Sequence, residues 1–316
     1  MIPEALREVI AEEAKTFGLD PDALLQRDLV LHPPTRWSPN RHCQLVETAD
    51  GWIAVNLARE DDREAVPAWL ETDVGQDPWH IVQKMARRRA TADVLDRAAL
   101  LGLPVAAVGE ATERQALPLR SAYSTSSSSV IDLSALWAGP LCGGLLAEAG
   151  FAVTKIQGPD RPDPTSSATP EHDRRLNGRK RRITMALNDT RLLEEIGDAR
   201  ILITSARPHA LARLGLTPES LFDLNPSLVW VAITAHGFHG DAAMRVGFGD
   251  DCAAAGGLVG WDDGVPRFLA DALADPLTGL RAARLALAAV TEGQAGIIDV
   301  ALAPTAAEFA KLAGLR

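Results

Sequence analysis

The sequence predicts an α/β protein in which a doubly wound parallel sheet domain follows a smaller α+β domain. Three observations lead there. Short apolar runs rich in β-formers alternate with helical stretches after Val130, whereas the region before residue 123 mixes a hairpin with helices. A serine-rich tract from Tyr123 to Ser129, which cannot bury apolar surface, separates the two. The boundary is therefore drawn to give domains over residues 1–123 and 124–316.

The chain has 316 residues, 47% hydrophobic and 23% charged, enough for two modest cores. A net charge of −10 disfavours a general nucleic-acid partner, which would call for a basic stripe, but leaves room for a small anionic ligand held by local cations. Cys43, Cys142 and Cys252 are odd in number and far apart, with no CxxC pair. Neither a disulfide framework nor a zinc site is indicated, and a reducing cytoplasm fits best. Residues 1–15 set Leu6, Val9 and Ile10 among several glutamates, a helical stripe rather than a signal peptide. No uncharged run reaches membrane-spanning length, so no membrane partner is expected.

In the first domain, residues 43–46 and 52–57 read as strands around the turn pair Asp50-Gly51. Helices are expected over 62–70 and, continuously, over 78–101, where Gly102 and Pro104 stop the second before the apolar run 105–108. The basic run Arg87, Arg88, Arg89 reads as a solvated helix face. In the second domain, strands are expected over 130–133, 153–156, 183–185, 201–204 and 228–233. With right-handed crossovers they form a Rossmann-like sheet whose ligand lies beyond the carboxyl ends of its strands.

The first βα turn, Ala138-Gly139-Pro140, lacks the GxGxxG of a nicotinamide site, and Gln157 stands where that site wants an acid. Gly143 and Gly144 serve either close helix–sheet approach or a ligand. Asp275-Pro276 opens an apolar helical run over 277–290, as an N-cap followed by proline would. A carboxylate there is either a simple cap or a reactive group kept charged by the helix N-terminus. Asp250 and Asp251 read as a polar loop in which adjacent carboxylates can raise one another's pKa. His236 and His239, without a third ligand, give no metal site.

Taken in order, several segments resemble the family III CoA-transferases (the CaiB/BaiF group), which include formyl-CoA and carnitinyl-CoA transferases and the α-methylacyl-CoA racemases. They are VIDLS at 130–134 with Ala138-Gly139-Pro140, VTKI at 153–156, NGRKRRIT at 177–184 and RPHALARLG at 207–215. Leu224-Asn225-Pro226, Gly256-Gly257, Ala274-Asp275, Thr278-Gly279-Leu280 and Asp299 to Leu302 complete the series. The match covers most of the chain after Val130. Asp50 to Val55 and Gly102 to Val105 resemble the family's small domain, which in a typical member follows the first half rather than preceding it.

The resemblance implies that Asp275 is catalytic. As a carboxylate it would attack an acyl-CoA thioester, giving a mixed anhydride and then an aspartyl-CoA thioester from which a carboxylic acid takes the CoA. Coenzyme A would be a substrate held by Ala138, Met185, Ser205, Ala206 and Arg213, with Lys180 and Arg207 adding charge for its phosphates. No tightly bound cofactor and no metal are implied. Partners would be an acyl-CoA, an acceptor acid, and a second copy or a paralogous subunit in a dimer. Departures stand beside these matches: Trp137 replaces a glutamine of some members, Gly158 an arginine, and Ser205-Ala206 the commoner Asn-Phe. The racemase histidine falls near Phe248, which cannot move a proton. A non-catalytic CoA-binding subunit, or an acyl-CoA isomerase or dehydratase on the same scaffold, remains an alternative.

Overall fold

The computed structural model describes residues 2–113, 117–122, 127–160 and 162–315. Tyr123 to Ser126, and with them the domain boundary drawn in the serine-rich tract, lie outside the described residues.

Strands β1 (Cys43–Glu47) and β2 (Trp52–Asn56) form the hairpin expected about Asp50-Gly51, and β3 (Val105–Ala107) adds antiparallel to β2. Val46, Ile53 and Val55 meet Val66, Trp69, Ile81 and Val94 from three covering helices in a core of their own. The single helix expected over 78–101 is in fact two, Pro78–Ala86 and Thr91–Leu100. The break comes from the hairpin turn. The Ala49 N–H donates to the Arg89 carbonyl, and the Asp50 carboxylate accepts from the Thr91 N–H at 2.8 Å and its hydroxyl at 2.7 Å, capping the second helix from outside. Arg87, Arg88 and Arg89 lie within this break rather than on a helix face, and Arg87 and Arg89 pair with Glu47 and Glu71.

The large sheet contains β4 (Arg120–Ser121), β5 (Ser129–Asp132), β6 (Ala152–Gln157), β7 (Arg181–Thr184), β8 (Ile201–Thr204), β9 (Val229–Thr234) and, after the separate hairpin of β10 (Val259–Asp262) and β11 (Val265–Phe268), β12 (Gln294–Ala301). Their order is β4-β12-β9-β8-β5-β6-β7, parallel except for the short edge strand β4. Strand β12 is absent from the sequence reading, since Gly296 and Asp299 interrupt its apolar run.

Alternating residues feed two cores, as a sheet covered on both faces requires. Val130, Ile201, Val229 and Val231 face the helices Ala138–Glu148, Ala274–Thr291 and Leu302–Leu312. Ile131, Leu202 and Trp230 face Leu192, Leu211 and Leu221 on the opposite side. Helix Glu4–Ala14, grouped by sequence with the first domain, buries Leu6, Ile10 and Ala14 in the first of these cores, and Glu13 pairs with Arg281 at 2.7 Å.

From β5 the chain runs outward to β6 and β7, then returns to β8, β9 and β12 on the other side. The strand order therefore reverses between β5 and β8, which opens a crevice at their carboxyl ends.

Candidate active site

Two loops line this crevice. One leaves β5 for helix Ala138–Glu148, and the other leaves β8 for helix Pro208–Ala212; the Ala135 N–H donates to Ser205 Oγ at 3.0 Å and ties them together. A Cβ on Gly139 would fall 2.2 Å from that of Ser134, so the turn into the first helix tolerates only glycine there. Between the loops lies a cavity of about 280 Å³ whose wall includes Ser205, Arg207, Gly139 and Asp275.

Asp275 is not an N-cap, as its sequence context suggests. Leu273 holds that position and Asp275 is the second residue of helix Ala274–Thr291. The Ala138 N–H, at the start of the facing helix, is near enough to favour the ionised form of its carboxylate. Space for this meeting comes from two glycines: a Cβ on Gly279 would sit 2.6 Å from the Ala138 carbonyl oxygen, and one on Gly249 would sit 2.3 Å from Asp275 Oδ2.

The side chain is largely enclosed yet keeps part of its surface on the cavity wall. Burial pushes its pKa from 3.8 up to about 7; Arg27 opposes the shift, Asp250 and Asp271 reinforce it, and the Ala138 N–H opposes it. The expectation that the helix N-terminus keeps this group firmly charged is thus reversed, because desolvation and two neighbouring carboxylates outweigh it.

A second cavity, of about 180 Å³, shares Asp275, Leu136 and Phe248 with the first and is completed by Arg27, Asn40, His42, Asn56 and His172. Arg27 grips Asp271 with two hydrogen bonds, and Asn40 Nδ2 donates to Asp250 and to Asp271, each at 2.7 Å. Asn56 donates to Asp251 at 3.0 Å. Asp250 and Asp251 are therefore no polar loop. They are buried at the start of helix Gly249–Ala255, and burial raises their pKa values to about 6 and about 7, with Asp271 adding to the first. Leu136 and Ala272, both on this cavity, hold left-handed φ values of 69° and 43°, a strain common at functional sites. Sequence reasoning missed Arg27, Asn40, His42 and Asn56. The readable signal was Asn56, a polar residue ending an otherwise apolar strand.

The residues expected to hold coenzyme A divide into two groups. Ala138, Ser205 and Arg207 share the larger cavity with Asp275, and Ala206 is exposed between the last two. Met185 is buried past the end of β7 beside Arg181 and Arg191, and Arg213 is exposed at the far end of helix Pro208–Ala212. Neither lines a cavity that contains Asp275.

Lys180 requires a correction. Its ammonium is fully buried and donates to Asp132 at 2.7 Å, to the Pro140 carbonyl at 2.7 Å and to Asn177 Oδ1 at 2.8 Å, which uses all three protons and leaves none for a phosphate. A Cβ on Gly143 would lie 2.8 Å from both Asp132 Oδ2 and Lys180 Nζ, and one on Gly144 would lie 2.7 Å from the Leu176 carbonyl oxygen, so both glycines serve close packing. His236 is buried and His239 exposed; among the described residues no group of three or more metal-ligating side chains converges. Among these residues, too, no helix is long and apolar enough to cross a membrane. The three thiols are unbridged and buried.

Comparison with known proteins bears on this geometry. The succinyl-CoA–D-citramalate CoA-transferase of Chloroflexus aurantiacus is 30% identical over 198 residues, which are 55% of this chain and 48% of that one. A Mycobacterium tuberculosis protein named "Probable fatty acyl-CoA transferase Rv3272" is 26% identical over 197 residues, 55% of this chain and 49% of its own. The crystal structure of Rv3272 superposes with a TM-score of 0.53 at 26% identity, covering 61% of this chain and 58% of that one. The chain spans about half the length of the curated relatives it matches. The model of CoA-transferase family III matches residues 126–314, more than half of the sequence, and the chain belongs to that family.

Proposed function

We propose that the chain transfers coenzyme A from an acyl-CoA to a carboxylic acid, with Asp275 as nucleophile. The observation that supports this most is the placement of Asp275. A partly exposed carboxylate stands where two cavities meet at the switch point of the sheet, and its pKa of about 7 leaves it about half ionised at neutral pH and poorly solvated.

In this reading an Asp275 oxygen attacks the thioester carbonyl carbon. The tetrahedral intermediate collapses by breaking the C–S bond, and the sulfur leaves with the electron pair as CoA thiolate, giving an acyl-aspartyl anhydride. The thiolate then attacks the Asp275 carbonyl carbon and expels the first acid as its carboxylate. The acceptor carboxylate attacks the resulting aspartyl-CoA thioester, and the released thiolate takes the acceptor's acyl group from the new anhydride, restoring Asp275. No proton or electron is gained or lost overall. Ala138, Ser205, Ala206 and Arg207 would line the path of the thiol arm, and Arg207 supplies charge at its open end. Met185 and Arg213 would contact only more distant parts of the coenzyme.

The departures at the expected coenzyme contacts, Ser205-Ala206 and Trp137, support a second reading, a CoA-binding subunit that works with a second copy or a paralogous partner. The test is to incubate the purified chain with acetyl-, succinyl- or octanoyl-CoA and a panel of carboxylic acids, and to separate the CoA thioesters. A new thioester of the acceptor, formed with ping-pong kinetics and lost in Asp275→Asn, supports the transferase. CoA binding without exchange supports the subunit reading. An altered acyl group without any acceptor acid points instead to isomerase or dehydratase chemistry.

A further inference from the structure

Beyond the Asp275 chamber lies a third cavity, of about 370 Å³, between the short helix Pro21–Leu24, helix Ala138–Glu148 and helix Pro170–Asn177. Its wall combines Leu19, Leu24, Leu141, Leu145 and Leu176 with the charged Asp20, Glu148, Arg174, Arg175 and Arg179. It shares Trp137 and His172 with the chamber of about 180 Å³ that contains Asp275. The three cavities therefore adjoin one another in a row. The first lies beside Ser205 and Arg207, Asp275 stands between it and the second, and an edge-to-face Trp137–His172 pair with centroids 4.6 Å apart separates the second from the leucine-containing third. An acyl-CoA has the same order of parts: phosphates, thioester, hydrocarbon.

His172 marks the threshold between the last two. It is 3% exposed, and an Arg175 guanidinium N–H donates to its Nδ1 at 3.4 Å, so in the neutral ring the proton sits on Nε2. That Nε2 is buried and meets no hydrogen-bond partner among the described residues, an arrangement that is costly unless an acceptor arrives with a ligand. Burial, together with Arg175 and Arg27, pushes the pKa down to about 4, which keeps the ring neutral and Nε2 a donor throughout the physiological range.

Building on the transferase reading, we propose that the leucine-lined cavity is the acyl subsite and that His172 Nε2 donates to the acyl carbonyl at its entrance, so that the chain prefers acyl groups with an unbranched apolar tail over short ones. The tail displaces water from the leucine wall, each methylene contributing by its burial.

Calorimetric titration of the whole chain with acetyl-, succinyl- and octanoyl-CoA tests this. Octanoyl-CoA should bind about tenfold or more tighter than acetyl-CoA, well within what six additional buried methylenes can provide. Leu145→Trp fills the cavity from its floor, and Ala23→Trp fills it from an exposed helix position that leaves the core intact. Either variant should bring octanoyl-CoA to within about twofold of acetyl-CoA without weakening acetyl-CoA, and His172→Phe should weaken all three thioesters about fivefold. Equal wild-type affinities, or a preference that survives Ala23→Trp, would overturn the acyl subsite while leaving the transferase reading intact. Unchanged binding in His172→Phe would overturn the role of Nε2. Failure to bind any of the three thioesters would overturn both the subsite and the transferase reading beneath it.

Discussion

Two carboxylates at the same end of the large sheet have opposite fates. Asp132, at the end of β5, is fully buried but accepts from Lys180, from the Ser134 N–H and from the Ser134 hydroxyl, with Lys155 close by. Although burial raises its pKa, the two ammonium groups and the hydrogen bonds prevail and hold it below the usual carboxylate range. Asp275, across the same helix N-terminus, is buried facing Arg27 already engaged by Asp271, with Asp250 beside them, and its pKa rises to about 7. A buried charge with every partner in place supports the fold, whereas one left short of partners is available for chemistry.

The contrast breaks most visibly by substitution. Asp275→Asn keeps the shape and removes the nucleophile, so CoA exchange should fall about a thousandfold or more in a steady-state assay. Lys180→Met leaves Asp132 buried and charged without its ion-pair partner, and chemical denaturation should show a loss of about 3–5 kcal/mol, partly recovered by Asp132→Asn in the same chain. Asp275→Asn should do the reverse to stability. The folded pKa of Asp275 lies above its unfolded value, so the wild type loses stability as pH rises from about 4 to about 7 while the enclosed carboxyl is forced to ionise. The variant avoids that cost and should be more stable by up to about 4 kcal/mol at pH 8 and nearly unchanged at pH 4. Gly143→Ala should cost about 1–3 kcal/mol by pressing a methyl group into the Asp132–Lys180 pair.

The smallest expected effect concerns pH alone. Single-turnover acyl transfer should rise with pH to a plateau, with a midpoint near 7. Arg27→Met, which removes the cation favouring ionised Asp275, should move that midpoint upward by about half a unit to one unit. An unmoved midpoint would mean that a different group limits the rate.

Much of the fold was legible because the signals were local. Strands β8 and β9 are buried along their whole length and therefore read as unbroken apolar runs, with the helices between them carrying ordinary proline starts at Pro208 and Pro218. What escaped depended on distant residues. The helix break after Ala86 is made by Asp50, and no pattern within residues 78–101 announces it. The surroundings of Asp275 are assembled from Asn40, Asn56 and Arg27, each bonded to a carboxylate roughly two hundred positions away along the chain. The local view of a helix terminus gave the wrong direction for the charge of Asp275, because the burial that outweighs it, reinforced by Asp250 and Asp271, exists only after folding. Lys180 misled for the same reason: a basic cluster in sequence reads as a phosphate site until Asp132 is placed beside it.

The central claim is tested most directly by trapping the intermediate. Wild-type protein turning over an acyl-CoA in the presence of hydroxylamine, then digested and analysed by peptide mass spectrometry, should carry a hydroxamate on Asp275 and on no other carboxylate, in an amount that follows loss of activity. Sustained CoA exchange with Asp275 unmodified would contradict the account.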